Sequence, residues 1–228
     1  MRNGKANGAR LSGGAATGAK SAAGMKKTVA PPERNVCVYC GSGKGRNSKY
    51  AQAAKSLGKA LAASGIGLVY GGGGLGLMGE TAKAVLGAGG SVTGIIPHFL
   101  SEREHMLQDV NEIIVTADMH ERKRLMFERS DAFVALPGGI GTLEELVEQL
   151  TWSQLGQHAK PIVLVDVNGF WKPFLTLIQH MRDEAFIRPG LDVRLRVVGD
   201  AGEVVRTVRE LAPTAAPTAA AARIPERF

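Results

Sequence analysis

An α/β protein built on a doubly wound, mainly parallel sheet of about seven strands in three layers is what this sequence predicts. Three observations predict it. Strand-like and helix-like segments alternate strictly, several strands are near-continuous apolar runs, and glycine-rich loops follow three of the strands. Apolar runs of that kind are expected of strands covered on both faces, and β-α alternation favours a parallel sheet. The architecture is Rossmann-like.

The elements follow in order. Strands are expected at 35–40 (NVCVYC), 66–70 (IGLVY), 91–96 (SVTGII), 112–116 (EIIVT), 131–136 (DAFVAL) and 161–165 (PIVLV), with a weaker one near 194–198. Helical patterns fall near 48–63, 78–88, 118–129, 142–155, 170–185 and 201–211. Residues 35–211 therefore read as one folded domain, of a size that sustains a proper core. The Gly/Ala-rich stretch 1–34 reads as a disordered basic head and 212–228 as a Pro/Ala-rich tail. The head lacks the apolar core of a secretory signal, and no apolar run approaches the roughly 18 residues of a membrane span. A soluble, cytoplasmic protein with no membrane association is the expectation.

Charge excludes one class of partner. The formal net charge is +7, of which the head carries +6 and the tail +1, leaving residues 35–211 neutral with nineteen Lys/Arg and nineteen Asp/Glu. A neutral body gives little support to a phosphate-backbone footprint, so no nucleic-acid partner is expected. The two cysteines, Cys37 and Cys40, have redox-motif spacing but sit inside a strand. Alternation sends positions i and i+3 to opposite faces, so both read as small packing residues in a reducing compartment.

Ligands of open α/β sheets bind beyond the carboxyl ends of the strands. The loops there are Gly41-Ser-Gly-Lys-Gly45, Gly71-Gly-Gly-Gly-Leu-Gly76 and Pro137-Gly-Gly-Ile-Gly-Thr142. Glycine lets backbone N–H groups approach a ligand, and helix N-termini favour phosphate. On that argument Gly41, Ser42, Gly73 and Gly74 are candidate substrate contacts. The stretch Gly74-Leu-Gly76-Leu-Met-Gly79 also fits the dinucleotide fingerprint. That fingerprint wants an acid about 20 residues on for the adenosine ribose, and Thr81–Ser101 contains no Asp, Glu or Arg. The oxidoreductase reading loses most of its support there; the plain alternative is that these glycines merely allow tight strand-to-helix packing.

Pro137-Gly-Gly-Ile-Gly-Thr-Leu-Glu-Glu145 carries more. Its glycines and the Thr142 hydroxyl suit one phosphate at a helix N-terminus, and no Lys follows to make a nucleoside-triphosphate loop. Thr142-Leu-Glu-Glu145 also fits a capping box, with Glu145 reaching back to the N-cap amide. That box explains neither Glu144 nor the glycines. Met119-His-Glu-Arg-Lys-Arg124 opens a helix with Arg122 and Lys123 at the end where the macrodipole disfavours cations. Either they form a plain solvated face or they serve an anion or a carboxylate. Glu102-Arg-Glu104 offers a carboxylate at the same edge, or an ordinary surface loop. The five histidines show no metal-ligand spacing, and no nucleophile elbow is present.

Together these residues resemble the LOG ("Lonely guy") family of cytokinin riboside 5′-monophosphate phosphoribohydrolases. Pro137–Glu145 matches its P-G-G-x-G-T-x-x-E motif. Cys40-Gly-Ser, Tyr70–Gly79 and Met119-His-x-Arg-Lys123 match its other signatures in order, over roughly residues 35–195. One departure is Gly43, where a second Ser is common. The resemblance implies a Rossmann-like domain that hydrolyses the N-glycosidic bond of plain or N6-substituted adenosine 5′-monophosphate, giving free base and ribose 5-phosphate. It implies Arg122 and Glu145 as catalytic residues. It implies nucleotide contacts from Glu104, Lys123, the stretch Gly138–Glu144 (with Gly139, Gly141 and Thr142) and Thr151. It also implies a homodimer, with a higher oligomer as the alternative; the helix 142–155, ending in Leu150-Thr-Trp152 and Leu155, offers apolar material for an interface. Members often carry an older lysine decarboxylase label. The chain is short for such an enzyme, and no lysine sits in a recognisable pyridoxal-phosphate motif.

The chemistry builds positive charge on the ribose ring. Glu145 is suited to stabilise that charge or to activate water at C1′, with neither metal nor redox cofactor required. Arg122 is suited to bind phosphate, to orient Glu145 or to help the departing base, and the sequence leaves the three open. The rival readings are a non-catalytic nucleotide sensor and a single-strand DNA-binding protein on the same fold. Three tyrosines and two tryptophans disfavour the second, which relies on stacking.

Overall fold

Valine, isoleucine and leucine run along the central strands, and the computed structural model buries them on both faces. It describes residues 30–101, 105–187 and 195–211. The head up to residue 29, the tail from 212 and Glu104 lie outside the described residues. The order is β1 (Arg34–Tyr39), α1 (Ser48–Ala63), β2 (Ile66–Tyr70), α2 (Gly76–Gly87), β3 (Val92–Pro97), α3 (His98–Ser101), β4 (Glu112–Thr116), α4 (Met119–Glu128) and β5 (Ala132–Ala135). There follow α5 (Ile140–Gln154), β6 (Ile162–Val165), a 3₁₀ turn (Val167–Gly169), α6 (Lys172–Asp183), β7 (Arg196–Val198) and α7 (Ala201–Leu211). Among the described residues no helix is long and apolar enough to cross a membrane.

All seven strands are parallel, in the order β4-β3-β2-β1-β5-β6-β7. Strands β2, β5 and β6 are buried throughout, whereas the edge strands β4 and β7 keep exposed positions, Glu112 and Arg196 among them. The buried, uninterrupted runs are what a sheet covered on both faces demands. One cover is α1, α2 and α7, through Ala54, Leu57, Leu61, Leu77, Ala82, Val85, Val204 and Val208. The other is α4, α5 and the start of α6, through Met126, Leu146, Leu150 and Trp171. Cys40 packs in the first layer and Cys37 in the second, so strand alternation does separate them, and both are free. Burial, with Glu145's negative charge added, pushes both thiols well up.

The chain order reverses between β1 and β5, where one half of the sheet winds outward through β2 and the other through β6. A doubly wound sheet opens a crevice at such a switch point. Here the crevice is stitched by Leu136 N–H donating to the Tyr39 carbonyl (3.0 Å) and Gly41 N–H donating to the Pro137 carbonyl (3.1 Å).

Candidate active site

Three loops meet above that switch point. The Gly41 carbonyl accepts from Leu77 N–H (2.9 Å), so the first loop touches both the second and the third. Gly76 makes the approach possible, since its φ is +58° and a Cβ there would run into the Ser42 carbonyl. Lys44 of the first loop and Lys55 of α1 both pair with Glu80 of α2 (2.9 and 3.3 Å). Lys44 above all holds that carboxyl below its usual range. A Cβ at Gly43 would meet nothing within 4 Å, so the serine common at this position also fits.

The helix after β5 starts earlier than the sequence suggests. Its first residue is Ile140 and its N-cap is Gly139, with no side-chain cap. This corrects the capping-box reading. Thr142 lies in the first turn, buried against Gly138, and Glu145 points into the site rather than back to an N-cap. Gly139 and Gly141 are exposed, and a Cβ on either would meet nothing within 4 Å. The first-turn N–H groups of a helix have no intrahelical acceptor, and the N-cap residue, Gly139, has no side chain to cap them.

The reciprocal cap belongs instead to α4. Asp118 Oδ1 accepts from Glu121 N–H (2.8 Å), and Glu121 Oε2 accepts from Ala117 N–H (2.8 Å). The Glu121 amide holds the Asp118 carboxyl below its ordinary range. The signal was legible as Asp118-Met-His-Glu121, an acid–x–x–Glu start. With both acids engaged at the cap, Arg122 and Lys123 turn toward α5.

Arg122 is 7% exposed and Glu145 9%. Arg122 Nη2 lies 3.5 Å from Glu145 Oε1, and its Nε donates to the Ile95 carbonyl at the end of β3 (3.3 Å). A Cβ at Gly71 would occupy the space of the guanidinium, which is why the residue after β2 is glycine. Beside this pair, Lys123 Nζ donates to Glu144 Oε1 (2.7 Å) and Glu148 Oε1 (2.9 Å). Burial works against the Lys123 charge, but the two carboxylates outweigh it and push the ammonium up. The cations at the unfavourable end of α4 thus serve carboxylates. Two cations and three acids sum to one net negative charge.

The structure therefore brings together Arg122, Lys123, Glu144 and Glu145 below the turn formed by Gly138, Gly139, Gly141 and Thr142, with Gly41 and Ser42 alongside. It gives Gly73 and Gly74 packing roles. Gly73 bridges Met106, Gly74 N–H donates to the His105 carbonyl (3.0 Å), and a Cβ on Gly74 would strike that carbonyl. Thr151 stands exposed on α5, bonding the Val147 carbonyl (2.8 Å). Nine residues beyond Thr142, it is roughly 13 Å away along the axis. Sequence reasoning passed over Glu148, whose signal was its place one turn beyond Glu144. Cavity size does not mark this site: a cavity of about 720 Å³ lies at the opposite end of the sheet, lined by Arg34, Ser64, Ile66 and Arg209.

A family model described as "Possible lysine decarboxylase" matches residues 78–208. The chain is 47% identical over 180 residues to cytokinin riboside 5′-monophosphate phosphoribohydrolase LOG3 of Arabidopsis thaliana, covering 79% of this chain and 84% of that one. It is 46% identical to the cytokinin riboside 5′-monophosphate phosphoribohydrolase of Rhodococcoides fascians, covering 78% and 91%. Among solved structures, the molybdenum cofactor carrier protein of Chlamydomonas reinhardtii superposes with a TM-score of 0.58 at 26% identity, covering 78% and 97%. The chain belongs to the LOG family of cytokinin riboside 5′-monophosphate phosphoribohydrolases.

Proposed function

We propose that the chain hydrolyses the N-glycosidic bond of adenosine 5′-monophosphates, plain or N6-substituted, to free base and ribose 5-phosphate. The observation that carries this is the buried Arg122–Glu145 pair set just inside the open N-terminus of α5. From Ile140 to Glu145 the helix rises roughly 7.5 Å, a span comparable with that from a 5′-phosphate to C1′. A phosphate on the Gly139–Thr142 amides thus brings C1′ within reach of the Glu145 carboxylate. As the bond to the base breaks, positive charge grows on the ribose ring. The carboxylate stabilises it and accepts a proton from the water that attacks C1′, while the base departs with the electrons of the C1′–N bond and takes up a proton in turn. The contacts from Arg122 to Glu145 and to Ile95 support an orienting role for the arginine over a phosphate-binding one.

A phosphate held this way contributes several charge-assisted hydrogen bonds, each worth about 1.5–3 kcal/mol. The kcat/KM for AMP should therefore exceed that for adenosine by at least about a hundredfold, measured by chromatography of released adenine. Comparable values would remove the α5 turn from phosphate binding. A non-catalytic nucleotide carrier is the competing reading, which the carrier-protein likeness raises. It predicts binding without base release.

We also propose a homodimer. Val147, Thr151 and Leu155 form one exposed stripe of α5, and α6 buries none of its residues while leaving Leu177 and Met181 exposed, with Phe186 just beyond. Apolar surface of that extent suits a partner. Light scattering should give twice the chain mass at micromolar concentration; a strict monomer contradicts the assembly.

A further inference from the structure

The resemblance implies nucleotide contacts from Lys123 and Glu144, which here pair with each other at 2.7 Å. The Lys123 ammonium uses two of its three N–H groups, on Glu144 and Glu148, so one is left for a ligand. The side chains of Lys123 and Glu148 are 17% and 19% exposed, whereas that of Glu144 is 50% exposed and stands at the rim. Glu144 and Glu148 are one turn apart on α5, where two like charges repel, and Lys123 neutralises only one of them. A single acid would suffice to tie α4 to α5.

We propose that Glu148 is the positioning residue of the nucleotide site. It holds the Lys123 ammonium in place, with or without Glu144, so that its remaining N–H meets the ligand. The inference rests on the nucleotide reading. Water competes less with the more buried partner, so the Lys123–Glu148 bond persists while the Lys123–Glu144 bond exchanges. The same arrangement keeps the lysine charged, because one carboxylate remains beside it throughout. Glu148 touches no reacting atom and acts only through Lys123.

The test uses the full chain and AMP as the probe, with Kd measured by calorimetry and kcat and KM by base release. Glu148→Ala should weaken AMP binding about tenfold and Glu148→Gln about threefold, since the amide oxygen still accepts a hydrogen bond but carries no charge. Both effects should appear in KM rather than kcat. Both should vanish in a Lys123→Ala background, because a residue acting only through Lys123 has nothing left to position. If Glu148→Ala does not fold, the Glu148→Gln pair of measurements decides alone. AMP binding unchanged in both variants would overturn the role of Glu148. So would an effect of full size persisting in the Lys123→Ala background. A wild-type chain that neither binds nor cleaves AMP would overturn the nucleotide reading itself, and Glu148's place in it, and is told apart by the wild-type measurement.

Discussion

Arg122→Ala should abolish base release and destabilise the fold together. The guanidinium is almost wholly buried, 3.5 Å from Glu145 and anchored on the Ile95 carbonyl. Removing it takes the cation away from a buried carboxylate, and breaking a buried pair by deleting one partner costs about 3–5 kcal/mol. For a domain of this size that is on the order of 10 °C in Tm. The rate should fall by about a thousandfold or more, since Glu145 loses the group that aims it. Adding Glu145→Gln to this variant should restore much of the Tm and none of the turnover, because the unpaired charge goes but the chemistry does not return. Thermal melts of the single and double variants check this; an Arg122→Ala protein with unchanged Tm and rate would place Arg122 outside both roles.

Glu145→Gln isolates the chemistry. The cap of α5 is Gly139, six residues before Glu145, so Glu145 does not stand at the third position of a capping box. The isosteric amide still offers an oxygen to Arg122 but no counter-charge, so Tm should fall by less than in Arg122→Ala. It carries no charge for an oxocarbenium-like transition state and accepts no proton from water. Turnover should fall at least about a hundredfold, the low end for a positioned acid–base group. Measuring kcat and Tm on the same preparation separates the cases, and a folded variant cleaving AMP near the wild-type rate would exclude Glu145 from the reaction.

Legibility in the sequence followed the range of the interaction. The alternation of β and α was plain, because IGLVY, FVAL and IVLV are runs that only a doubly covered strand accommodates. Helices α1 and α7 fall where apolar periodicity places them. The four-residue α3 left no trace, since a single turn has no period to read. The start of α5 was misread for a specific reason. Thr142-Leu-Glu-Glu145 imitates a capping box, while the cap in the structure is a glycine that carries no side-chain signal. The cap that does use side chains, Asp118 with Glu121, was hidden inside a motif noticed for its cations. The pairing of Arg122 with Glu145, and of Lys123 with Glu144 and Glu148, joins helices more than twenty residues apart. The macrodipole marks those cations as out of place; only the parallel packing of β3, β1 and β5 beneath α4 and α5 shows which carboxylates they meet. Gly74 illustrates the converse, for a glycine in a ligand-like run is also needed by a neighbouring carbonyl.

The central claim is tested most directly by incubating the purified protein with AMP and, separately, with isopentenyladenosine 5′-monophosphate, then quantifying all products by chromatography. Cleavage at C1′ predicts free base and ribose 5-phosphate in equal amounts, with no nucleoside and no inorganic phosphate. Intact nucleotide after prolonged incubation with folded protein, or release of phosphate and nucleoside instead, would contradict it.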